Sequence, residues 1–143
     1  MALPNMPCWL TDFVTARAAL EHPDPQVVGT IVAMCQAGEL KFCNCEIRDF
    51  RNNPHVRQHF CDNQNCVCHT NGDIATIVSN IPMRIGQKKH HPNDLSARII
   101  AASAVHFGYG IVSSKMGIFA TSVDIGESLN VASYTLYDFI DAL

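Results

Sequence analysis

The chain has 143 residues, of which 48% are hydrophobic and 16% are charged, and its formal net charge is −3. A chain of this length buries enough surface to fold without a disulfide framework, so we predict one domain over residues 1–143. The negative charge argues against broad, non-specific binding of nucleic acid, which is typical of basic domains, but it permits a local basic patch.

The sequence carries neither of the two signals that direct a chain to a membrane or to secretion. It contains no apolar run approaching the roughly 18 residues of a transmembrane helix. Its first residues, MALPNMPCWLTDF, lack a basic start and are interrupted by Asn and Pro, unlike a secretory signal. The seven cysteines are an odd number and are better explained as thiols or metal ligands than as disulfides. We therefore predict a cytoplasmic protein without membrane contact.

Short apolar runs alternate with helical periods along the whole chain. Strands are predicted at 6–13, 40–45, 109–113 and 129–133. Helices are predicted at 13–20, 25–37, 47–60 with a break at Pro54, 94–107, 115–122 and 135–143. The remaining segments are a Cys/His-rich polar loop at 61–73, a stretch at 74–85 that fits helix or strand, and a basic turn at 87–91. This order predicts an α/β fold with a mainly parallel central sheet and helices on both faces.

The longest helical pattern, LSARIIAASAVHF, is apolar almost all round, which is typical of a helix buried against a sheet. Asn93 or Asp94 is its expected N-cap, and Gly108 is expected to end it. The strand that follows ends in polar residues that begin with Ser113. Ligands of open α/β sheets bind at this carboxyl edge, although the serine lacks the G-x-S-x-G context of a serine hydrolase.

The order of strands and helices resembles the PIN-domain family over most of the chain, and the C-terminal part carries most of the resemblance. This family consists of small metal-dependent nucleases and includes many toxin ribonucleases. The resemblance lies in IIAASAVHFGYGIVSSKMGIF, a helix rich in Ile and Ala followed by Gly, an apolar strand ending in Ser, and a Phe. The tail LNVASYTLYDFIDAL is similar to the last strand and helix of such domains. The resemblance implies a PIN-like fold, RNA as substrate and Mg²⁺ or Mn²⁺ as cofactor.

The resemblance also implies catalytic carboxylates at strand ends, because Mg²⁺ and Mn²⁺ favour hard oxygen ligands. Glu46 follows the FCNC strand, where the family keeps a glutamate. Asp12 is the candidate at the end of the first strand. The family's first Asp lies three residues before a Val, however, and this spacing counted back from Val14 gives Thr11 instead. Both alternatives stay open, since a shift of one residue along a strand moves a side chain to the opposite face.

Two further family positions fall in the C-terminal half. Asp94 is the third candidate carboxylate if this helix has three more residues than the family pattern. Counting back from residues 102–104 by the family spacing gives Ala97 instead. The fourth acidic position is occupied by Lys115, whose ammonium would take the place of a cation. We therefore predict a degenerate nuclease that acts mainly by binding RNA or a protein partner, which includes a second copy of the chain. An active Mg²⁺- or Mn²⁺-dependent endoribonuclease is the alternative.

Basic residues flank the predicted carboxylates on both sides. Arg48 and Arg51 follow Glu46, and Lys88 and Lys89 precede Asp94. In the predicted fold these residues, together with Lys115, lie near the carboxyl edge of the sheet and are candidates for binding RNA phosphates. The alternative is that they belong to a solvated helix face and a solvated turn.

The loop at 61–73 contains a possible zinc site. Cys61, Cys66, Cys68 and His69 lie within nine residues, and zinc binds such thiolate and imidazole groups tetrahedrally. Their spacing, C-x4-C-x-C-H, differs from the paired C-x2-C of zinc ribbons and fingers. A zinc-stabilised interaction module is therefore a third hypothesis, with a polar loop carrying free thiols as its alternative.

Overall fold

A parallel sheet lies at the centre of the computed structural model, which describes residues 3–62, 66–69, 71–80, 94–113 and 130–143, with only the backbone of residue 94. The described strands are β1 (Trp9–Thr11), β2 (Leu40–Cys43), β3 (Val67–Cys68), β4 (Gly110–Ser113) and β5 (Ser133–Thr135). Their order is β3-β2-β1-β4-β5, and every neighbouring pair is parallel. The predicted α/β fold with a mainly parallel sheet is confirmed.

Helices connect the strands. The described ones are α1 (Phe13–Leu20), α2 (Pro25–Gln36), α3 (Ile47–Asn52), α4 (Pro54–Val56), α5 (Gly72–Asn80), α6 (Asp94–Phe107) and α7 (Leu136–Ala142). A 3-10 segment (Asn44–Glu46) precedes α3, and a π-helical turn (Arg57–Cys61) follows α4. Local chemistry explains several ends: Asp24 caps α2 in front of Pro25, and Gly38, at φ 72°, follows its last turn. None of the described helices has the length and hydrophobicity needed to cross a membrane.

Each face of the sheet packs against its own helices. On one face, the buried rings of Phe42, Phe50 and Phe60 form an aromatic core under α1, α2 and α3, with the Phe42 and Phe50 rings stacked at 4.0 Å. On the other face, Leu10 and Ile111 pack against α6. Trp9 and Leu10, which are neighbours in β1, face opposite cores. The alternation of side chains along a strand requires this.

The structure departs from the predicted elements at a few places. The loop at 61–73 contains strand β3, which is too short to leave a period in the sequence and forms by pairing with β2. The last strand is Ser133–Thr135 rather than 129–133. The stretch from 74 is helical as part of α5. The basic turn at 87–91 and the helix at 115–122 lie outside the described residues.

Candidate functional site

Three strands place polar residues at one edge of the sheet. From the central strand β1 the chain moves to β2 and β3 on one side and to β4 and β5 on the other. The direction of winding therefore changes between β1 and β4, and ligands of open α/β sheets bind at the carboxyl ends of the strands at such a point. Asp12 directly follows β1, Ser113 ends β4, and Glu46 lies three residues after β2.

Asp12 is buried at this edge, with 1% of its surface exposed, and its carboxylate accepts hydrogen bonds from Ser113 and from both the amide and the side chain of Thr15. One carboxylate oxygen accepts from the Thr15 amide at 2.8 Å and caps α1, and the other accepts from the Ser113 hydroxyl at 2.5 Å. Burial raises the pKa of Asp12 to about 6, although these hydrogen bonds oppose the rise.

Glu46 ends the 3-10 segment and is the second buried carboxyl group, with 5% of its surface exposed. The Phe13 amide hydrogen-bonds its carboxyl group, but Oε1 has no hydrogen-bond partner among the described residues. Burial raises the pKa of Glu46 to about 9, with the neighbouring charge of Asp12 as the second cause. Glu46 is therefore protonated at neutral pH beside an ionised Asp12.

The donor set suits a hard divalent cation. Mg²⁺ and Mn²⁺ favour carboxylate oxygens, and Asp12 and Glu46 bring two carboxyl groups to one buried position. An unpartnered buried oxygen is rare because it forfeits a hydrogen bond that water would supply. A cation between the two carboxyl groups would supply a partner for this oxygen and would offset the repulsion that opposes ionisation of both groups. Asp12 and Glu46 therefore fit as ligands, and they would supply two of the several that such an ion takes.

The third predicted carboxylate, Asp94, is the first residue of α6, and its side chain lies outside the description. The first turn of α6 lies beside the 3-10 segment, because the Ser96 hydroxyl hydrogen-bonds the Cys45 thiol. The start of α6 is thus near the residue that precedes Glu46. Over the described ranges, no three His, Cys, Asp or Glu side chains form a group that could hold a metal ion.

The predicted phosphate-binding residues are described only in part. Arg48 and Arg51 are exposed on α3, which starts immediately after Glu46. They are therefore positioned on the surface close in sequence to the buried carboxylates. Lys88, Lys89 and Lys115 lie outside the described residues.

The predicted zinc ligands Cys61, Cys66, Cys68 and His69 do not form a ligand group within the described structure. The Cys66 thiol is buried on the aromatic face of the sheet and donates to the Cys35 carbonyl at 3.0 Å. Cys68 lies in β3 and belongs to the core on the opposite face. The reason for the difference is β3 itself, because a strand that joins the sheet draws these cysteines into the two cores.

Ser113 is the functional candidate to which the sequence assigned no role. Its signal was a polar residue at the end of an apolar strand, but only the strand order shows that this strand lies next to β1. The hydroxyl then faces Asp12, which is 101 residues away in the chain.

No protein-family model matches the chain, and no curated protein sequence is significantly similar to it. The resemblance to PIN domains therefore rests on the residues quoted above.

Proposed function

We propose that this chain is a PIN-like, degenerate nuclease that binds RNA through a divalent cation held by Asp12 and Glu46. The observation that carries the proposal is the buried, unpartnered Oε1 of Glu46 beside a second buried carboxyl group. Mg²⁺ or Mn²⁺ would be the cofactor, since both ions favour oxygen ligands.

RNA is the proposed ligand because the cation and the arginines complement phosphates. With a net charge of −3, the chain needs local positive charge to hold a polyanion. Arg48 and Arg51 supply it on α3, at the exposed surface that follows Glu46. The winding change between β1 and β4 also favours this edge as the ligand site.

Each residue of the site has a separate task in this proposal. Ser113 and the Thr15 amide fix the orientation of Asp12, so that its carboxylate does not need to reorganise when a ligand binds. Glu46 releases its proton when the cation binds, because a ligating carboxyl group must be deprotonated. The cation, when bound, supplies positive charge that neutralises a phosphate oxygen.

Hydrolysis of the RNA is a second candidate function, because a divalent cation held by Asp12 and Glu46 would also lower the pKa of a bound water molecule. Lys115 stands where the family keeps a further acid, so we expect any cleavage to be weak.

RNA binding measured by fluorescence anisotropy tests the proposal. A labelled single-stranded RNA is titrated with the chain in Mn²⁺ and in EDTA at equal ionic strength, and its integrity is checked on a gel. We expect about tenfold weaker binding in EDTA and in the variants Asp12→Asn and Glu46→Gln, a change equivalent to about 1.4 kcal/mol. The exposed acid Asp141 on α7 gives a matched control, Asp141→Asn, which should bind like the unmodified chain. Equal affinity of all variants in EDTA and Mn²⁺ would overturn the proposal.

A further inference from the structure

A cavity of about 360 Å³ lies on the α6 face of the sheet, away from the two carboxyl groups. Its lining includes Lys41, His69, Asn71, Phe107 and Tyr109, and we call it the aromatic cavity. The 14 residues of α6 span about 21 Å, from the edge near Cys45 to Phe107. The aromatic cavity therefore lies at the other end of this helix, and the proposed RNA site makes no use of it.

Two aromatic rings form one side of the aromatic cavity. The rings of Phe107 and Tyr109 are stacked, with centroids 5.3 Å apart and planes inclined by 20°. Phe107 is 37% exposed although it is a large apolar side chain at the end of a helix. An exposed aromatic pair of this kind is suited to pack against another planar ring, since stacking does not depend on the identity of the ring.

The polar groups of the aromatic cavity favour a ligand with negative charge. The Lys41 ammonium lies 5.9 Å from the centroid of the Tyr109 ring, and no Asp or Glu is among the described residues that line the cavity. This composition contrasts with the net negative charge of the whole chain. His69 and Asn71 add side chains that form hydrogen bonds, and the Asn71 amide nitrogen is 3.4 Å from His106 Nε2.

We propose that the aromatic cavity binds a nucleoside monophosphate. The base packs against Phe107 and Tyr109, the phosphate pairs with Lys41, and the imidazole of His69 is available to the base edge or the ribose. The volume lies within the range of small-molecule sites, about 300–1,000 Å³. Among its described residues, the cavity combines a planar apolar surface with one lysine, which matches a ligand that joins a planar base to one phosphate group.

Equilibrium dialysis with AMP, adenosine and inorganic phosphate tests this inference on the full chain. We expect saturable binding of AMP and at least about tenfold weaker binding of adenosine and of phosphate, since each lacks one of the two recognised groups. Phe107→Ala should weaken AMP binding by about tenfold or more, as expected for the loss of one stacking side chain. Lys41→Gln should weaken AMP binding and leave adenosine binding unchanged.

Matched controls separate the aromatic cavity from general surface effects. Tyr137→Ala removes an exposed aromatic ring from α7, and Arg17→Gln removes a cation that lies 5.6 Å from the Phe13 ring. Both variants should bind AMP like the unmodified chain. The inference fails if AMP does not bind saturably at millimolar concentration, if phosphate binds as tightly as AMP, or if the Phe107 and Lys41 variants bind like the controls.

Discussion

Asp12 and Glu46 are two buried carboxyl groups whose pKa values differ because their surroundings differ. Hydrogen bonds from Ser113 and the Thr15 amide limit the rise at Asp12, whose pKa is about 6. Glu46 has one unpartnered oxygen and the neighbouring charge of Asp12, and its pKa is about 9. Between about pH 6 and pH 9, Asp12 therefore carries the negative charge and Glu46 carries the proton.

Because Glu46 keeps a proton in the folded chain, the free energy of unfolding falls as the pH rises. Its pKa is raised from 4.5 to about 9, so the folded state binds the extra proton, and stability is lost between these two pH values. We expect Glu46→Gln to remove this loss, so that the variant gains about 1.4 kcal/mol per pH unit relative to the unmodified chain between pH 6 and 9. Urea unfolding monitored by Trp9 fluorescence measures the difference. With Asp141→Asn as control, parallel curves for all three proteins would contradict the raised pKa.

The hydrogen bond from Ser113 lowers the pKa of Asp12, against the larger effect of burial. Its hydroxyl donates to Asp12 Oδ2 and thereby favours the ionised carboxylate, so Ser113→Ala should raise the pKa of Asp12 above about 6. The carboxyl carbon resonances of labelled protein, followed by NMR over pH, report this pKa directly. Ser103→Ala is the matched control, because that buried hydroxyl donates to the Ile99 carbonyl within α6. An unchanged Asp12 titration in Ser113→Ala would show that the hydrogen bond has no influence on the site.

At the scale of elements, the pairing of β1 with β4 holds Asp12 against Ser113, and one glycine permits this pairing. A Cβ atom on Gly110 would lie 2.4 Å from two carbon atoms of the Trp9 ring. That ring is fixed by edge-to-face contacts with Tyr134 and Phe139 at 5.5 and 5.3 Å. It therefore has little room to move away from an added methyl group.

We expect Gly110→Ala to destabilise the fold by about 1–3 kcal/mol, the usual cost of overpacking a core. Gly29 lies inside α2 with open space around it, so Gly29→Ala should instead stabilise the fold by about 0.5–1 kcal/mol. Thermal melting followed by circular dichroism compares the two. Melting temperatures that shift in the same direction would contradict the assigned close contact between β1 and β4.

The elements differ in how well the sequence predicts them. Helices α1, α2 and α6 begin and end close to their predicted bounds, because caps and apolar periods are local signals. Strand β3 was predicted as loop, since its two residues gain their hydrogen bonds from β2 and not from any local pattern. Strand β3 also places Cys66 and Cys68 in opposite cores, which their spacing in the sequence does not indicate.

For the whole molecule, the alternation of strands and helices was enough to predict that distant residues meet at one edge. The resemblance to PIN domains suggested Glu46, and Asp12 or Thr11, at strand ends, and the structure buries Asp12 and Glu46 beside each other. The alternation did not predict the contact between Asp12 and Ser113, because the order of strands in the sheet decides which strand ends are neighbours. A protein partner, a homodimer and a cytoplasmic location stay predictions from the sequence.

The central claim is that Asp12 and Glu46 bind a divalent cation together. Calorimetric titration with Mn²⁺ in buffers of different ionisation enthalpy tests it most directly, because it reports both affinity and the number of protons released. We expect about one proton released per Mn²⁺ near pH 7.5, from Glu46, and an affinity that rises about tenfold per pH unit up to about 9. Glu46→Gln should abolish the proton release, and Asp141→Asn should preserve it. Mn²⁺ binding without proton release, or no binding at any pH up to 9, would contradict the claim.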